Sequence, residues 1–69
     1  PMTNWIREMT DIVMTRIRMD AVCAYQSIDN DGGDQKPLVI YTSDNALFEI
    51  IENIDELVGV LDSTFEFHN

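Results

Sequence analysis

Cationic side chains are scarce in this 69-residue chain: four Lys and Arg stand against 13 Asp and Glu, for a formal net charge of −9. So few cations cannot replace the counterions of a polyanion, which excludes direct binding to nucleic acid or to an anionic membrane surface. Cysteine is almost absent. Cys23 stands alone, so no intramolecular disulfide staples the fold, and a reducing, cytoplasmic setting is the simplest expectation. With His68 as the one histidine, Cys23 has too few companions for a zinc site and no nearby base to make it a nucleophile, and a packed thiol is expected. No apolar run approaches the ~18 residues of a membrane span, and no basic-then-apolar segment opens the chain. Met2 follows Pro1, an order that fits a native start at Met2 behind a one-residue remnant of a cleaved tag.

What is present is the composition of a small globular domain, 45% hydrophobic and 25% charged. A single domain over residues 2–69 is expected, burying roughly 60% of the surface of its unfolded chain. From Ile12 to Met19 the residues alternate, with Val13, Thr15, Ile17 and Met19 on one face and Met14, Arg16 and Arg18 on the other, the pattern of a half-buried strand. Trp5 to Met9 reads as an earlier strand of open register, separated from it by a turn at Thr10-Asp11. Asp20-Ala21 breaks the alternation. Beyond it, either a strand over Val22 to Ile28 or a short turn over Asp20 to Cys23 fits the residues. The stretch D-N-D-G-G-D-Q-K-P from Asp29 to Pro37 is a hairpin loop. Leu38 to Thr42 is the central strand, Ser43-Asp44-Asn45 a turn, and Ala46 to Ile51 a further strand. Asn53 is placed as a helix N-cap with Glu56 completing a capping box, and Ile54, Leu57, Val58, Leu61 and Phe65 form one helical stripe. Gly59 marks either a close approach to the sheet or a tolerated cost, and Glu66 to Asn69 fray. The expected fold is α+β: a small antiparallel sheet of about four strands with one C-terminal helix packed on one face.

No motif in the chain carries catalysis. Pro1 as a general base would resemble the small tautomerases, but those place a long helix soon after the first strand, and here the helix comes last. Asp29 to Ile40 departs from a calcium loop, with Asp34 where glycine is needed and Ile40 where a bidentate Glu is needed. Gly32-Gly33 lacks the helix and the Lys-Ser/Thr pair of a phosphate loop. No metal site and no cofactor are therefore expected, and the chain reads as a binding protein rather than an enzyme.

Charge is distributed unevenly. Up to Ile28 the three Arg balance Glu8, Asp11 and Asp20; after it, one Lys faces six Asp and four Glu. The expected partner is a basic protein surface, contacted by Asp29, Asp31, Asp34, Glu52, Asp55, Glu56 and Asp62. The alternative is an oligomeric sponge for a small anionic signal such as a nucleotide, with Arg16 and Arg18 on the anion and an aromatic side chain on the base. One helix covers one sheet face, so a homodimer or larger assembly is expected, with Trp5, Tyr25 and Tyr41 as interface aromatics.

From Thr15 to Leu61 the chain resembles the small FlbD-type proteins and similar short phage reading frames. It shares a strand, an R-M-D-A-V stretch at Arg18 to Val22 where the family has an N-x-D-x-I turn, a hairpin, and a strand running into E-N-I-D-E-L-V at Glu52 to Val58. It departs from them in a longer acidic loop at Asp29 to Lys36. A small acidic chain without a catalytic constellation is also similar in kind to phage-encoded inhibitors of bacterial defence, including anti-CRISPR proteins. That likeness implies an inhibitor acting in the host cytosol by masking a basic surface of a defence protein.

Overall fold

In the computed structural model, residues 4–27 and 36–67 are described. The first two strands, β1 (Trp5–Thr10) and β2 (Val13–Arg18), form an antiparallel hairpin in which Ile6 faces Ile17 and Thr10 faces Val13. This register leaves Asp11 and Ile12 as a two-residue turn, with Asp11 at φ 56°, a left-handed conformation that a short polar side chain tolerates. Directly opposed residues share a face of the hairpin. Ile6 and Ile17 are buried together, whereas Trp5, Arg7, Arg16 and Arg18 project from the other face and are exposed.

A 3₁₀ turn over Met19–Ala21 ends the hairpin, with Met19 buried and its N–H donating to the Asn4 carbonyl at 2.8 Å. The chain then enters β3 (Val22–Ser27), which pairs antiparallel with β4 (Leu38–Thr42), itself paired with β5 (Leu47–Ile50). A register shift between Val22 and Ala24 makes Cys23 a bulge residue, and this brings both Val22 and Tyr25 against the core. Cys23 is consequently exposed, not the packed thiol that its isolation in the sequence led us to expect. Of the two readings beyond Asp20 the strand is the one found, over Val22–Ser27, and the turn before it spans Met19–Ala21 without reaching Cys23.

The α+β class and the terminal helix are as the sequence indicates. In finer detail there are five strands in two sheets, β1-β2 and β3-β4-β5, where a single sheet of about four was expected. The 3₁₀ turn is the cause, because it redirects the chain so that β2 and β3 are consecutive without pairing. One backbone hydrogen bond joins the two sheets, Ile51 N–H to Met9 C=O at 3.1 Å, while Ser43 N–H to Ala21 C=O at 2.9 Å carries the β3–β4 pairing on into the 3₁₀ turn.

The helix α1 (Ile54–Thr64) closes the core. It buries Ile54, Leu57 and Leu61 against Ile6, Ile17, Met19, Leu38, Ile40 and Ile50, while Phe65, the last residue of the expected stripe, stays exposed. Asn53 occupies the N-cap position, but the capping box does not form. At φ 54° its side chain is turned from the helix and donates instead to Glu8 Oε1 at 3.1 Å, tying the helix start to β1. A Cβ at Gly59 would meet nothing within 4 Å, so this glycine is a tolerated cost and not a close approach. The helix ends in a Schellman motif. Phe67 N–H reaches the Asp62 carbonyl at 2.8 Å and Glu66 N–H that of Ser63 at 3.3 Å, with Glu66 at φ 54°. That order extends through Glu66 and Phe67, where fraying was expected.

Candidate functional site

Two charged surfaces emerge, built on different elements. The acidic one lies at the start of α1, where Glu52 precedes the helix and Asp55 and Glu56 sit in its first turn, all three exposed. The peptide dipoles favour carboxylates there, so these residues support the helix while presenting charge outward. Asp62 does not join them. It is half-buried at the far end of α1, where its Oδ1 accepts the Tyr25 hydroxyl at 2.6 Å. Burial, and then the hydrogen bond and negative charge of Asp62, push the Tyr25 hydroxyl up to about 12. Asp29, Asp31 and Asp34 lie outside the described residues.

The aromatics expected at an interface divide in the same way. Tyr25 is engaged within the chain by Asp62 and by the ring of Phe65, 6.4 Å between centroids. Tyr41 is half-buried and donates to Gln26 Oε1 at 2.8 Å across β3 and β4. Trp5 alone among the three is exposed, at 54%.

The cationic surface is the outer face of the hairpin. Arg16 and Arg18 are there, as the strand alternation indicates, and so is Arg7, directly opposite Arg16. Every arginine of the chain therefore shares one face with Trp5. Arg7 is the residue that sequence reasoning missed. Its position follows only once the turn is fixed at Asp11-Ile12, and the register of the first strand was open. Arg18 donates to Asp20 Oδ2 at 3.0 Å in an exposed ion pair, the one such pair among the described residues.

A cleft of about 360 Å³ adjoins this face, lined by Trp5, Arg16, Arg18, Thr42, Asp44 and Phe48 among others. The Thr42 hydroxyl donates to Asp44 Oδ1. That bond and the backbone N–H groups of Asp44 and Ala46 hold the Asp44 carboxyl below the usual carboxylate range, so it is ionised in the cleft at neutral pH. Cys23 borders a separate cleft with Val22, Tyr25, Phe65, Glu66 and Phe67.

The geometry is that of a small α+β protein with an acidic helix end and a cationic, aromatic hairpin face. No helix among the described residues is long and apolar enough to cross a membrane. No family model matches the chain, and no curated protein or solved structure matches it either.

Proposed function

We propose that this protein is a non-enzymatic binding module that occupies a basic surface of a partner protein. The supporting observation is a lack of counter-charge: Glu49, Glu52, Asp55 and Glu56 are exposed, and none forms an ion pair among the described residues. Uncompensated charge of one sign costs self-repulsion that a few lysines would remove, and a cationic partner relieves it. Asp29, Asp31 and Asp34 belong to the same reading on sequence alone. In size and composition the chain is similar to phage-encoded inhibitors of bacterial defence, and masking a basic patch of a defence protein in the host cytosol is the activity proposed. Self-association into a homodimer or larger assembly completes the reading, supported by the exposed Ile12, Val13 and Met14 at the turn end of the hairpin.

The test is capture from bacterial lysate by the immobilised chain and by its E52K/D55K/E56K variant, read by mass spectrometry. A basic protein retained by the wild type and lost by the variant supports the reading. Identical retention by both contradicts it. Light scattering at high micromolar concentration tests the assembly, for which a monomer mass is the contrary result.

A further inference from the structure

We propose that the outer face of the β1–β2 hairpin and its adjoining cleft form a binding site for a nucleoside phosphate, with Arg7 and Arg16 on the phosphate and Trp5 stacked on the base. The register places Arg7 directly across from Arg16, and directly paired residues of antiparallel strands have Cα atoms only about 4.5–5.5 Å apart. Like charges in that position repel across the strands. Neither residue has an ion-pair partner among the described residues, since Asp20 serves Arg18. An anion bridging the two guanidinium groups converts the repulsion into charge-assisted hydrogen bonds. This is a phosphate-sized requirement, and it arises in a chain that otherwise carries a large negative surplus.

The remaining features select a nucleoside phosphate over a bare anion. Trp5 offers an exposed indole on the same face, and aromatic faces stack planar bases regardless of sequence. The cleft of about 360 Å³ beside it falls at the low end of small-ligand sites, which run from about 300 Å³ upward. Asp44, ionised and oriented by Thr42, lines that cleft. A carboxylate there repels inorganic phosphate but accepts hydrogen bonds from ribose hydroxyls or an exocyclic amine. The surplus of −9 elsewhere disfavours a long polyanion, so a free nucleotide is the occupant, not a nucleic-acid strand.

Trp5 is the single tryptophan of the chain, so its fluorescence reports the site directly. ADP, adenosine, inorganic phosphate and a single-stranded oligonucleotide serve as probes, titrated into the full chain and into Arg7→Gln and Arg16→Gln. ADP is expected to quench Trp5 saturably, and each variant to bind about tenfold or more weakly, the loss that removing one hydrogen bond to a charged group entails. Both variants are expected to melt no lower than the wild type, which separates loss of the site from loss of the fold. Any of four results overturns the proposal: no saturable quenching by ADP, equal affinity in the Gln variants, adenosine or phosphate alone binding as tightly as ADP, or the oligonucleotide displacing ADP at equal nucleotide concentration.

Discussion

Tyr25 couples β3 to α1 through its hydroxyl on Asp62 and its ring beside Phe65. Replacing it with Phe leaves a half-buried carboxylate without its donor, and a loss of about 1–2 kcal/mol is expected in urea unfolding. The pH dependence has a definite sign. The folded Tyr25 hydroxyl is raised from 10.0 to about 12, so its contribution is complete below the unfolded value and is lost as pH rises through the folded one. Alkaline titration followed by phenolate absorbance should show one tyrosine titrating late, and Tyr25→Phe should remove that step. Persistence of the late step in the variant would contradict the assignment. Two positions, one in the helix and one just past its end, offer gains in stability. Gly59→Ala meets no neighbour and should stabilise by about 1 kcal/mol, and Glu66→Gly, which relieves a left-handed residue at φ 54°, by a similar ~1 kcal/mol. Each would appear as a rise of about 4–8 °C in melting temperature.

At the scale of elements, the helix contributes to the core while the outer face of the hairpin carries an unfavourable charge pair. Leu61 is fully buried where α1 meets the sheets, and Leu61→Ala should cost about 2–5 kcal/mol. Arg7→Gln should do the reverse in the absence of ligand, gaining about 0.2–1 kcal/mol by removing a like-charge cross-strand pair. These elements also mark what the sequence makes legible. The faces of β2, the apolar run of β4 and the stripe of α1 were readable because the spacing of apolar residues along the chain is a local property. The bulge at Cys23, the division into two sheets and the left-handed Asn53 were not, because each is set by contacts with distant residues. Asn53 is recognisable as a cap by type, yet its side chain is drawn to Glu8, 45 positions away. The site divides likewise. Arg16 and Arg18 follow from alternation along one strand, whereas Arg7 needs the register of two. Asp62 reads as a free helix acid until Tyr25 is brought to it.

For the whole molecule, the central claim is that segregated charge is the functional property of this protein. On the proposed function, carboxylates without counter-charge would draw a basic partner in through long-range attraction, raising the rate of encounter more than tightening the final complex. On sequence alone the proposal extends to Asp29, Asp31 and Asp34, where Lys substitutions should slow association severalfold with little effect on folding. Salt shortens the range of such attraction, from a Debye length of about 10 Å at 0.1 M to about 3 Å at 1 M. The most direct measurement is the association rate constant for the captured basic protein, across a salt series, with the wild-type chain and with E52K/D55K/E56K. The account predicts a wild-type rate that falls steeply with salt and a variant rate that is severalfold lower and nearly flat. Equal rates with equal salt slopes would contradict it, and would leave the acidic helix end as solvated surface only.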